Sequence, residues 1–329
     1  MSARSDRKAL AGARVLITGG AGFIATHVIA ALVDECEIVV LDNLRRNALG
    51  LAPWRRHPNL RVIRGDVLDA RTVRRAVDGA DYVLHMAAIA GVHTVVHNPA
   101  STLQVNLLGT HTVLNALRRR QSLKRFIDFS TSEVYGPHVF RASEQGMTTQ
   151  GSVYQPRWFY AVSKLASEYL TRSYHIEFGM PTACIRPFNV YGPYQYGEGA
   201  VRNFVAAALS NRTLVVHGEG EQIRSWCYVD DMVDAILACL VRTAAVGHHF
   251  NVGNPRATTA TLELARMVLR LTGSDAPIRF RRIRYPDVEV RVPSIAEAER
   301  RLGFRPRVDL EEGLSRTIEW FRTKGRAWL

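Results

Sequence analysis

Through its first half the chain alternates short apolar, β-branched runs with longer stretches in which apolar residues recur every three or four positions. The runs predict strands over 14–18, 37–42, 60–64, 81–85, 125–130 and 182–187. The stretches between them predict helices, the clearest over 100–119 and 160–178. Alternation of this kind packs as a parallel sheet with helices on both faces. The expected fold is therefore α/β, doubly wound, with its ligand crevice at the carboxyl ends of the strands. After Pro187 the texture changes. The run YGPYQYGEG (191–199) is rich in Gly and Tyr, and helices are expected beyond it over 200–209, 295–302 and 310–322. Residues 231–240 followed by HHFNVGN (248–254) read as one more helix and strand returning to the main sheet. The organisation expected is a sheet domain over 1–187, rejoined by 229–256, and a smaller C-terminal substrate lobe over 188–329. The acidic pair Asp230 and Asp231 is expected to cap the helix that begins at Met232.

The first strand ends in glycines. In VLITGGAGFIA (15–25), Gly19 permits a tight turn, Gly22 lets backbone approach a pyrophosphate at a helix N-terminus, and Ala25 takes the small position where helix packs on strand. The second strand closes on Asp42, about twenty residues further on, where a carboxylate can bond both hydroxyls of a ribose. Strand, turn, helix and acid at these distances point to a dinucleotide site. Asp42 would repel a 2′-phosphate, so NAD is expected over NADP, with Arg45 and Arg46 the cations close enough to argue otherwise.

Composition narrows the field. Among 329 residues, 47% are hydrophobic and 22% charged, which is ordinary globular usage. No apolar run approaches a membrane span, and the basic N-terminus lacks the apolar core of a signal peptide and reads as a short tail. The net charge of +13 is spread as single arginines, with runs only at Arg118–Arg120 and Arg281–Arg282 and no basic tail carrying aromatics. An anionic small-molecule substrate fits that balance; nucleic acid is not expected as a partner. Cys36, Cys184, Cys227 and Cys239 have no paired spacing and suit a reducing cytoplasm. The histidines are dispersed and no metal site is expected.

Two segments carry chemistry. FSTSEVYG (129–136) follows a predicted strand and so reaches the crevice. RWFYAVSK (157–164) opens a long helix with Tyr160 and Lys164 one turn apart on one face. A neighbouring ammonium and a cationic nicotinamide would lower the phenol below its ordinary value of about 10, so that Tyr160 could take a hydroxyl proton as hydride leaves the same carbon. Trp158 is expected to pack.

With these motifs the chain resembles the extended short-chain dehydrogenases/reductases that modify nucleotide sugars. The resemblance spans nearly its whole length: TGGAGFIA (18–25), LDNL (41–44), GDV (65–67), HMAA (85–88), STSEVYG (130–136), YAVSK (160–164), RPFNVYGP (186–193) and IRSWCYVDD (223–231). It implies a Rossmann fold and a tightly bound, recycled NAD. The cofactor would be held by Gly19, Gly22, Phe23, Ile24, Ala25, Asp42, Asn43, Asp66, Val67, Ala87, Ala88, Tyr160 and Lys164. It also implies catalysis by Tyr160, Lys164, Thr131, Ser132 and Glu133, and a UDP-, dTDP- or GDP-linked sugar held by Asn189, Asn203, Arg224 and Arg291. A homodimer is the implied assembly. STSEVYG is similar to hexose 4,6-dehydratases and UDP-glucuronate decarboxylases, in which the glutamate works at C5. PRW before Tyr160, RNF (202–204) and NVGNP (251–255) look like the decarboxylases, whereas GVHTVVHNP (91–99) looks like epimerases. The expected activity is dehydration or decarboxylation through a 4-keto sugar, with 4-epimerisation as the alternative and a non-catalytic NAD-binding scaffold as the remote one.

Overall fold

The computed structural model describes residues 3–282 and 287–324. Its strands are β1 (Arg14–Thr18), β2 (Glu37–Asp42), β3 (Leu60–Arg64), β4 (Tyr82–His85), β5 (Arg125–Phe129), β6 (His138–Ala142), β7 (Thr182–Pro187), β8 (Val190–Tyr191), β9 (Leu214–His217), β10 (Ile223–Ser225), β11 (Cys227–Tyr228), β12 (His249–Val252), β13 (Thr258–Ala260), β14 (Ile278–Arg281) and β15 (Val290–Pro293). Its helices are α1 (Ala3–Ala9), α2 (Phe23–Leu32), α3 (Ala70–Ala76), α4 (Val92–His97), α5 (Pro99–Leu103), α6 (Gly109–Leu117), α7 (Phe159–Phe178), α8 (Ala200–Leu209), α9 (Val229–Val241), α10 (Thr261–Thr272), α11 (Ala296–Leu302) and α12 (Leu310–Lys324).

Seven parallel strands form the main sheet in the order β12-β7-β5-β4-β1-β2-β3. The two-residue period of each strand divides its side chains between two cores. Val15, Ile17, Ile38, Val40, Leu84 and Ile127 face α2, α9 and the C-terminal helices. Leu16, Val39, Leu41, Val83 and Phe126 face α3, α6 and the end of α7. The direction of winding reverses between β1 and β4, so the crevice opens at the ends of those strands. A second sheet, β13-β10-β15-β6, stands over the crevice side and takes β6 from the first half of the chain. The helix and strand expected after residue 230 are α9 and β12, and β12 pairs with β7.

Three local expectations are corrected. The helix over 100–119 is interrupted by a π turn at Gln104–Leu108. That turn aims the buried Asn106 side chain at the backbone of Ile89 and at Ser163 Oγ (2.9 Å). Asp230 and Asp231 do not cap α9, whose first residue is Val229. Asp231 instead accepts from the backbone N–H groups of Arg307 and Val308 (2.9 and 3.1 Å), tying the C-terminal segment down. The N-terminal stretch is no tail: α1 packs on α9, Leu10 is fully buried, and Asp6 pairs with Arg242.

Candidate active site

A cavity of about 600 Å³ lies along the ends of β1, β2 and β4. Gly19, Gly22, Phe23, Ile24, Ala25, Asp42, Asn43, Asp66, Val67, Ala87 and Ala88 all line it. Its shape depends on close backbone approach. Gly19 has φ +70°, and a Cβ there would come within 2.6 Å of the Ala87 nitrogen. Gly22 stands at the N-cap of α2 with no side chain over the free amides, an anion-binding arrangement. Asp42 Oδ2 accepts from Ala21 N–H (3.0 Å) and Oδ1 from Leu44 N–H (2.7 Å), so the acid both faces the cavity and fixes its rim. Burial pushes the Asp42 carboxyl up, and these two bonds pull it back only in part. Arg46 donates to Ala90 O (3.1 Å) and Thr94 Oγ1 (3.2 Å), which commits it to the loop after β4.

The far wall comes from residues the motifs did not single out. Gln195, Tyr196 and Glu198 reach the cavity from the loop after β8. Glu198 accepts from His93 N–H (2.9 Å), Thr94 N–H (3.1 Å) and Thr94 Oγ1 (2.9 Å). With Arg46 this makes a clasp of three chain segments over the groove. Their sequence separations of 44 to 105 residues leave no local signal.

Tyr160 and Lys164 lie on the first turns of α7 and not on the cavity wall. Thr131 Oγ1 bonds the Tyr160 phenol and also accepts from Glu133 N–H (3.2 Å), capping the short turn Ser132–Tyr135. Ser132 is buried in that turn. The phenol is not lowered by its protein surroundings. Burial pushes it up, Glu133 adds to the rise, and the Thr131 bond opposes it. Lys164 does not relieve this, because its ammonium faces Asp128 Oδ1 (3.2 Å).

Glu133 is gripped by two arginines. Arg157 makes a fork-to-fork pair with it (2.5 and 3.1 Å), and Arg291 Nη1 lies 3.4 Å from Oε1. Burial pushes the carboxyl up, but the two guanidiniums outweigh burial and hold it below its usual range. Arg291 on β15 is the register partner of Arg224 on β10. Burial, helped by the charge of Arg291, pushes Arg224 down to about 10. Arg224 also pairs with Asp287 (3.5 Å) and donates to Val288 O.

Not every substrate-binding candidate joins this cluster. Asn189, strained at φ +37°, donates to Ser225 O (2.9 Å) next to Arg224. Asn203 is exposed on α8 and accepts from Arg202. Arg157 was visible only as the first letter of RWFYAVSK. Its role depends on a partner 24 residues away.

Fold and site together define a dinucleotide-dependent enzyme with a Tyr-x-x-x-Lys pair beside a cluster of arginines around Glu133. A family model described as the NAD dependent epimerase/dehydratase family matches residues 15–253. The chain is 33% identical to the dTDP-D-glucose 4,6-dehydratase of Mus musculus, over 96% of this chain and 90% of that protein. It is 34% identical to UDP-glucuronic acid decarboxylase 1 of Xenopus tropicalis, over 96% of this chain and 73% of that one. An epimerase structure from Methanothermobacter thermautotrophicus superposes with a TM-score of 0.90 at 30% identity, covering 98% of this chain and 96% of that chain. The chain belongs to the NAD-dependent epimerase/dehydratase family. It is an enzyme of that family, with NAD as its cofactor. The glycine turn, the α2 N-terminus and Asp42 fit that cofactor. No helix among the described residues is long and apolar enough to cross a membrane.

Proposed function

We propose that this enzyme is a nucleotide-diphosphate-sugar lyase that works through a 4-keto sugar, and that its substrate carries a carboxylate at C5. The observation that carries this reading is Glu133 held between Arg157 and Arg291, beside Tyr160. A simple 4-epimerase needs only to let the keto sugar turn over, which gives such a cluster no task. Dehydration needs a strong base for the C5 proton, and a doubly clamped carboxylate is a weak one. Decarboxylation needs cations to seat a carboxylate, and two guanidiniums against one acid leave positive charge to spare.

NAD, held by the glycine turn, the α2 N-terminus and Asp42, would supply a hydride acceptor at C4 and the return of that hydride. Tyr160 Oη takes the C4 hydroxyl proton while Thr131 holds the phenol in line, and Lys164 orients this pair. The ketone makes the C5 carboxylate a β-keto acid. The bond from C5 to the carboxyl carbon breaks, carbon dioxide leaves, and the electron pair moves to the C4 oxygen, where the Tyr160 phenol stabilises it. C5 then takes a proton from water as the electron pair returns from the C4 oxygen and the C4 carbonyl re-forms. Arg224 and Arg291, with Asn189 near them, hold the diphosphate from the smaller lobe.

The test is a panel of UDP-, dTDP- and GDP-hexoses with UDP-glucuronate, incubated in deuterated water and weighed. Loss of carbon dioxide with gain of one deuterium is expected for the uronate. Loss of water from a hexose would make the enzyme a 4,6-dehydratase, and a product of unchanged mass without deuterium would make it an epimerase.

The same reading includes a homodimer acting in the cytoplasm, the latter supported by four free, buried cysteines. Val162, Tyr169 and Ile176 recur at seven-residue spacing on α7 and are exposed by 39, 69 and 71%. Leu108 at the end of the π turn is also exposed. An apolar stripe of this kind suits a second copy of the chain. Sedimentation should give a dimer for the native protein and a monomer for the double variant Tyr169→Glu, Ile176→Glu; a native monomer would remove the dimer.

A further inference from the structure

The loop after β8 is anchored by packing at its start and by polar bonds at its tip. His27 Nε2 on α2 donates to Pro193 O (2.8 Å), and the buried Tyr194 ring packs against His27, Trp54 and Trp320. Gly199 ends the loop and leads into α8. Between these points Tyr196 and Glu198 are exposed, although both line the cofactor cavity.

Glu198 reaches across the groove to the start of α4. One of its oxygens accepts from His93 N–H (2.9 Å), the other from Thr94 N–H (3.1 Å) and Thr94 Oγ1 (2.9 Å). Gly91, at φ +100°, leaves the space that this carboxylate fills, since a Cβ there would lie 2.6 Å from Glu198 Oε1. Arg46, from the segment after β2, meets both sides. Its Nη2 donates to Thr94 Oγ1 (3.2 Å) and Ala90 O (3.1 Å), and its Cζ would lie 3.2 Å from a Cβ on Gly197. Thr94 Oγ1 therefore joins all three segments, accepting from Arg46 and donating to Glu198. Exposed hydrogen bonds with little apolar burial open locally while the rest of the fold stays closed.

We propose that Glu198, Thr94 and Arg46 form a gate for NAD, with Thr94 Oγ1 as its latch. Closed, the gate ties the loop after β8 to the loop after β4 across the cavity. Open, residues 195–198 swing out from the anchor at Pro193 and Tyr194, and the cofactor passes. The glycine turn and Asp42 set how tightly NAD binds, and the gate sets how fast it comes and goes. A slow gate suits a cofactor that must stay through both hydride transfers of the proposed reaction.

The test is cofactor exchange in the holoenzyme. Protein carrying NAD is mixed with an excess of isotopically labelled NAD, and the bound cofactor is weighed over time. Equilibrium occupancy on serial dilution gives the affinity. Thr94→Val keeps the outline of the side chain and removes the latch. Exchange should quicken by about tenfold or more, the scale of losing a hydrogen bond to a charged group, while affinity changes far less. Thr94→Ser keeps the hydroxyl and should exchange at the native rate. A native rate in Thr94→Val overturns the gate, as does a fast rate in Thr94→Ser. A faster exchange matched by an equal loss of affinity also overturns it, because Thr94 would then be an ordinary contact with the cofactor. Glu198→Ala gives the same comparison from the other side of the groove should the valine variant not fold. The exchange uses no substrate, so it can fail while the uronate still loses carbon dioxide, and it can succeed where that reaction does not occur.

Discussion

Replacing Glu133 by Gln is expected to stall the enzyme with its cofactor reduced. Tyr160, Thr131 and Lys164 remain, so C4 oxidation proceeds and the absorbance of reduced nicotinamide accumulates. Product formation should fall by roughly 10²-fold, the scale of loss when groups that position a substrate are displaced, here Arg157 and Arg291. The amide keeps the outline of the carboxylate but leaves Arg157 and Arg291 facing each other without the charge that paired them. Unimpaired turnover in this variant would return Glu133 to a structural role. The pH dependence has a definite sign. Because its arginine partners hold the Glu133 carboxyl below the usual range, the ion cluster is complete above the unfolded value of about 4.3. Its contribution to stability is lost only as pH falls through the lower folded value. Glu133 is therefore ionised across neutral pH, and no limb of the activity profile near pH 7 should belong to it.

Replacing Gly19 by Ala is expected to remove the cofactor. The position has φ +70°, and the added methyl would sit 2.6 Å from Ala87 N and 2.7 Å from its Cα. Neither is a flexible side chain that can swing away, so the glycine turn and the strand-end segment 86–87 must part. Strain of this kind costs at least about 2 kcal/mol. Taken from cofactor affinity, that is about a 30-fold loss. Protein purified from this variant should carry little NAD. Retention of a full complement would mean that the turn is not the pyrophosphate cradle.

The main sheet was legible because its strands are buried on both faces and so read as unbroken apolar runs. Leu16 and Ile17, adjacent in sequence, are each fully buried on opposite sides. The glycine turn and Asp42 were legible because a dinucleotide demands those residue types at those distances, whereas Ala87 and Ala88, which also line the cavity, were implied only by the family resemblance. The π turn at Gln104–Leu108 was not, since one inserted residue hardly disturbs a helical period; the polar Asn106 among apolar neighbours was the available hint. Arg157 and Glu198 act through partners brought near only by folding. Asp231 shows the converse, as an acid at a helix start has two plausible tasks, and here the distant backbone of Arg307 and Val308 took it. Without the nicotinamide the Tyr160 phenol is raised by burial and Glu133, and the partner that Lys164 finds, Asp128, sat in view inside RFIDF.

Asp42 has a consequence for how this protein can change over evolution. An acid that only touched a ribose could be exchanged for a neutral residue to admit a 2′-phosphate, at no cost beyond the old affinity. This one also accepts from Ala21 N–H and Leu44 N–H, which hold the glycine turn against the end of β2. Its loss leaves two part-buried donors without these acceptors, at about 1–3 kcal/mol each where water cannot replace the carboxylate. A first mutational step toward the phosphorylated cofactor would therefore lower foldedness before it altered preference. Lineages starting from this sequence would need a stabilising change elsewhere to come first. The choice of cofactor is guarded by folding as well as by recognition.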